Sequence, residues 1–136
     1  MPAASKVVLD VSALLAVLRC EPGSDRIKPL LGRAVMSAVN LAEVAATLSR
    51  HGLPAASVFS DVCKIVGEVR PFDARQASLA VALDAKTRAI GLPLAGRACL
   101  ALAASAGLPV LTADETWAGL DVGVGIEVIR GLQSVA

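Results

Sequence analysis

Lys6-Val-Val-Leu-Asp-Val-Ser-Ala-Leu-Leu-Ala-Val-Leu-Arg19 is the stretch on which the fold turns. Val7 to Leu9 are apolar on both faces and end in Asp10, which predicts a short strand buried from both sides. Val11 to Arg19 follow as a helix, stopped by the turn Glu21-Pro-Gly23. The alternation continues downstream. Ala34-Val-Met-Ser37, Glu68-Val-Arg-Pro-Phe72, Leu108-Pro-Val-Leu-Thr112 and Ile126 to Ile129 read as further short strands. Between them lie helices expected from Ser24-Asp25 to about Leu31, Asn40 to Arg50, Pro54 to about Val66, Asp73 to Ile90, and about Gly96 to Ala106. Short strands with two apolar faces, separated by helices, require a parallel sheet covered on both sides. The expected fold is therefore three-layer α/β, with four or five short strands in one domain spanning residues 1–136.

Composition narrows the functional classes. Of 136 residues, 55% are apolar and 18% charged, which excludes a disordered chain. The net charge of +1 supplies no positive field for strong DNA binding by this chain alone. Three aromatics (Phe59, Phe72 and Trp117) are too few for a base-stacking platform. Ala98 to Ala113 carry no charge, but they are interrupted by Gly107 and Pro109 and are too short for a membrane span. The opening Met1-Pro-Ala-Ala-Ser has no apolar signal core, so a cytoplasmic protein is expected. Cys20, Cys63 and Cys99 are odd in number and far apart. They suit neither disulfides nor zinc and are expected to be buried or half-buried thiols.

In open parallel sheets chemistry sits at the carboxyl ends of the strands. Asp10 ends the first strand there, Asp114 follows the fourth, and Glu43 lies in the helix after the second. Three acids converging from distant parts of the chain would suit a hard divalent cation, with a position left open for water. His51 is the sole histidine, so no histidine-based nucleophile system is indicated, and no Walker-type phosphate loop is present. Each residue also has a structural role open to it. Asp10, Asp73 and Asp114 could cap helices or turns, and Asn40 with Glu43 has capping-box spacing. Arg97 could be a solvated helix residue, and Trp117 could pack over the sheet edge.

Four segments, in order, resemble the PIN domain and within it the VapC toxins of bacterial toxin–antitoxin pairs. They are Val7 to Ala16 with Glu21-Pro-Gly23, Val35 to Val44, Gly91 to Ala103, and Leu108 to Trp117. The resemblance implies an endoribonuclease dependent on Mg²⁺ or Mn²⁺ that hydrolyses RNA phosphodiester bonds, held in check by a VapB-type antitoxin and forming a homodimer. It implies Asp10 and Asp114 as metal-binding acids and Glu43 as the acid that orients or deprotonates water. Ser12, Asn40 and Thr112 match supporting polar positions, and Arg97 a basic residue beside a third acid. That third acid is missing. VapC toxins commonly read Leu-Gly-Asp-Arg-Ala where this chain reads Leu94-Ala-Gly-Arg-Ala98, so Gly96 stands in its place. A hard-cation site loses affinity with each carboxylate removed. A weakened or inactive nuclease is expected, with activity regained by Gly96→Asp. The alternative is a degenerate PIN fold that binds antitoxin or RNA without cutting. A phospho-receiver domain shares the strand pattern but fits poorly, since strand one ends in a single acid and no Lys follows Lys86.

Overall fold

The computed structural model of the chain describes residues 5–129, so most of the opening segment read above lies outside the described residues. Five strands form one sheet: β1 (Val7–Leu9), β2 (Ala34–Ser37), β3 (Glu68–Arg70), β4 (Val110–Thr112) and β5 (Ile126–Val128). All neighbouring pairs are parallel, in the order β3-β2-β1-β4-β5. Six α-helices cover it: α1 (Val11–Leu18), α2 (Ser24–Ile27), α3 (Ala38–Ser49), α4 (Ala55–Ile65), α5 (Ala74–Thr87) and α6 (Leu94–Ala106).

The period-two geometry of a strand splits the core into two halves. Val7, Leu9, Ala34, Met36 and Leu111 face one side and pack with residues of α1 to α4. Val8, Val35 and Val110 face the other and pack with α5, α6 and Trp117. This is the three-layer arrangement expected from strands apolar on both faces. No helix among the described residues is long and apolar enough to cross a membrane.

The helix boundaries depart from the sequence-based expectations in four places. Pro29 lacks an N–H, so α2 ends at Ile27 and continues as a 3-10 turn over Lys28–Arg33. It is Gly23, at φ +93°, that sits in the N-cap position of α2 in place of Ser24-Asp25. Helix α3 starts two residues before Asn40, because the Ser37 hydroxyl accepts the Val39 N–H at 3.2 Å. Asn40 and Glu43 therefore form no capping box. Helix α6 likewise starts at Leu94 after Pro93, which puts Gly96 inside its first turn. One thiol also differs. Cys63 is half-buried and Cys99 buried, but Cys20 is exposed. It occupies the left-handed position at the end of α1, with φ +54°. The Cys20 and Glu21 N–H groups close the turn onto Val17 and Ala16 carbonyls.

The path of the chain places the site. From β1 it moves outward through β2 to β3, then returns to add β4 on the other flank of β1. The loops after β1 and β4 therefore diverge, opening a crevice at their carboxyl ends. At the opposite end of the sheet, Gly67 leads into β3 with its Cα against the Gly32 carbonyl. A β-carbon there would run into that backbone oxygen. Gly67→Ala should therefore destabilise the protein by roughly 1–3 kcal/mol, since backbone has to move. Urea unfolding checks this; an unchanged midpoint would refute the close approach.

Candidate functional site

Asp10 is the fixed point of the crevice. It caps α1, accepting the Ala13 N–H at 2.9 Å, and is 5% exposed. A buried carboxylate must have its oxygens satisfied, and here two hydroxyls do this. Ser12 Oγ donates to Asp10 Oδ1 at 2.8 Å, and Thr112 Oγ1 to Oδ2 at 2.8 Å. Each hydroxyl in turn accepts a backbone N–H from the segment after β4. Ser12 takes that of Ala113 at 2.9 Å and Thr112 that of Asp114 at 3.0 Å. Two relays thus tie the end of β1 to the turn that carries Asp114. Burial pushes the Asp10 carboxyl above its ordinary range. The bonds from Ala13, Ser12 and Thr112 oppose that shift, and the charge of Asp114 adds to it.

Asp114 is itself a cap: its Oδ1 accepts the Thr116 N–H at 3.0 Å and the Thr116 hydroxyl at 2.7 Å. Asp10 and Asp114 line one cleft of about 230 Å³, together with Ser12 and Asn40. The remaining wall is largely apolar: Val11, Leu15, Leu92, Pro93, Ala95, Gly96 and Trp117. A larger depression of about 420 Å³ lies at Cys20–Asp25 and Lys28, away from these acids.

Asn40 is almost wholly buried. Its Nδ2 donates to the Ala95 carbonyl at 2.8 Å, which fixes the amide's orientation because a carbonyl can only accept. Its Oδ1 is consequently left without a partner. The other sequence-derived residues lie elsewhere. Glu43 is exposed on α3, one turn beyond Asn40, and does not line the cleft. Arg97 is partly buried and donates from Nη1 to the Ala80 carbonyl of α5 at 3.4 Å, also outside the lining. Gly96 lines the cleft but has no side chain to offer. Among the described residues no group of three or more His, Cys, Asp or Glu is gathered closely enough to hold a metal ion. Leu92 in the wall is a residue that the sequence did not single out, because it looks like any other core leucine. Trp117 is buried as a packing residue, as expected, and its Nε1 has no partner.

The sequence matches the PIN domain family over residues 7–122. No curated protein matches it significantly. Several solved structures share the fold. A toxin-antitoxin complex from Klebsiella pneumoniae superposes with a TM-score of 0.72 at 15% identity, covering 90% of this chain and 97% of that one. VapBC-5 from Mycobacterium tuberculosis gives 0.63 at 24% identity, covering 93% and 99%. VapC20 from the same organism, a toxin that cleaves the sarcin-ricin loop, gives 0.66 at 18% identity, covering 85% and 97%.

The two relays generate a prediction. Thr112→Val keeps the shape of the side chain but removes a donor to Asp10 and an acceptor for the Asp114 N–H. It should lower stability by about 2–3 kcal/mol at neutral pH, because a buried carboxylate loses a charge-assisted bond. Urea unfolding measures it; a change below experimental error would show that the relay holds nothing in place.

Proposed function

The chain belongs to the PIN domain family, and on that premise we propose that it is the toxin partner of a VapBC-type pair. In this proposal it is a cytoplasmic, metal-dependent endoribonuclease whose cleavage site is weakened. The observation that carries the proposal is the pairing of Asp10 and Asp114 in one cleft at the strand-order reversal, within the matched segment. The cleft donors fit a hard divalent cation in kind. They are two carboxylates and an unpartnered buried amide oxygen, Asn40 Oδ1. In charge they fall short, because Gly96 adds nothing.

Asp10 and Asp114 would hold Mg²⁺ or Mn²⁺, with Asn40 Oδ1 beside them. When bound, such an ion supplies positive charge against the phosphodiester and makes water more acidic. The chain's own residues do the rest. Ser12 and Thr112 hold Asp10 in one orientation, so its carboxylate needs no reorganisation when a substrate arrives. Asp114 stands on the half-exposed side of the cleft, where an incoming ligand meets it first. Glu43, which the resemblance assigns to orienting the attacking water, is exposed on α3 outside the cleft lining and would have to act from there. Arg97 braces α6 against α5 and so supports the Gly96 turn.

The apolar wall suits a second partner. Leu15, Leu92 and Pro93, with Leu94 49% exposed next to them, form a surface for an apolar antitoxin segment that places a basic side chain against the acids. Leu53, Phe59 and Val81 are large exposed apolar side chains on α4, α5 and the loop before α4. They favour a homodimer. The second reading, a binding module without catalysis, is favoured by the vacancy of charge at Gly96.

Two outcomes are expected. Cleavage of total RNA should be undetectable at millimolar Mg²⁺ and weak with Mn²⁺, and Asp114→Asn should abolish the residue of activity. Cleavage that survives Asp114→Asn would remove that acid from the site, and no cleavage under any metal would favour the binding module. Sedimentation equilibrium at micromolar concentration should give twice 13.8 kDa; a species at 13.8 kDa would refute the homodimer.

A further inference from the structure

The space beside position 96, where the expected acid is missing, is taken by another side chain. A β-carbon built on Gly96 would lie 2.6 Å from Leu92 Cδ1, 2.7 Å from Leu92 Cγ and 3.3 Å from Leu92 Cδ2. Three atoms of one leucine therefore occupy the position of any side chain at 96. The branch carbon is among them, so rotating the terminal methyls does not clear the clash. Cγ itself has to move, by a change of χ1 or of the backbone.

Its surroundings resist that. Leu92 is buried in the half of the core built from α5, α6 and Trp117. Its backbone is pinned on both sides. Gly91 before it sits at φ +64°, Pro93 after it has a fixed φ, and its N–H donates to the Thr87 carbonyl at 3.3 Å. Leu92 and Gly96 also both line the cleft that holds Asp10 and Asp114. Where a carboxylate would face the acids, the chain presents a packed isobutyl group.

We infer that Leu92 and Gly96 act as a coupled pair, and that Leu92, by filling the third-acid position, sets how tightly the cleft holds a divalent cation. The pair accounts for the state of the site better than Gly96 alone. A missing carboxylate leaves room that water can fill, whereas a leucine excludes both water and ligand from that side. It follows that Gly96→Asp by itself is the wrong repair, contrary to the expectation from sequence. The new carboxylate would either strain the first turn of α6 or be pushed away from the cleft. The cation part of this inference rests on the metal-dependent function proposed above; the steric part does not.

The test is a double-mutant cycle with two readouts. In the first, Gly96→Ala is made alone and in a Leu92→Ala background, and thermal unfolding is followed. The expected result is a lowered Tm for Gly96→Ala in the parent chain. In the Leu92→Ala background the same change should be neutral or stabilising, since Ala is the better helix former once the obstacle is gone. Equal Tm shifts in both backgrounds would overturn the coupling. In the second readout, Mn²⁺ binding is measured by calorimetry on the parent, Gly96→Asp and Leu92→Ala/Gly96→Asp chains. The double variant should bind at least about tenfold tighter than the parent, and Gly96→Asp alone should gain much less. Equal affinities for Gly96→Asp and the double variant would overturn the role of Leu92. If the Tm cycle shows coupling but none of the three chains binds Mn²⁺, the packing stands, while the metal-dependent reading and the role of Leu92 in it both fall.

Discussion

A carboxylate buried at the end of the first strand is the constraint around which this molecule is arranged. Asp10 cannot remain there without donors for both its oxygens. The chain supplies three donors from two elements: the Ala13 N–H and the Ser12 hydroxyl in the first turn of α1, and the Thr112 hydroxyl at the end of β4. The last of these lies 102 residues away, so satisfying Asp10 requires β1 and β4 to be neighbours. The same bonds fix the turn carrying Asp114, because the Ala113 and Asp114 N–H groups end on those two hydroxyls. Strand order, helix start and acid pair are thus one connected arrangement.

Against that polar knot the opposite wall of the cleft is notable for its apolarity. Asn40 spends its amide hydrogen on α6 and leaves one buried oxygen unpaired. Leu92 and Gly96 fill the side from which the PIN resemblance leads one to expect a further acid. Stability and ligand binding pull in different directions here. A leucine packed at that place adds to the core, whereas a carboxylate would gain only when a cation is present to balance three like charges. A chain that still cuts would have to do so with fewer ligands.

The remaining chemistry of the fold is quiet. Cys99 is fully buried and burial, then the nearby Asp10 charge, raises its thiol well above the ordinary range, so it acts as a small apolar residue. Glu68, at the sheet edge, is held down to about 2 by hydrogen bonds from Arg70 and Lys6. The Lys6 bond ties β3 to the residue before β1, the Arg70 bond stays within β3, and both lie at the far end of the sheet from the cleft.

Most of the fold was legible in the order of residues. Val7 to Leu9, Ala34 to Met36 and Val110 with Leu111 are apolar at successive positions, which only a sheet covered on both faces can bury, and the helices between them require parallel connections. The acids at the strand ends followed from the same logic. Helix starts were less legible, since Ser37 and Pro93 compete with later residues for the capping position and only the backbone path decides between them. The absence of an acid at 96 could be read directly from the letters Ala95-Gly96-Arg97. What stands in its place could not. Leu92 precedes Gly96 by four residues and belongs by pattern to the core. Only the turn at Gly91 and Pro93 brings its side chain over the first turn of α6. Sequence determines which groups exist and which faces must be buried. Which side chain fills the space left by a missing one is set by the tertiary path, because packing is decided between residues whose separation along the chain says nothing about their contact.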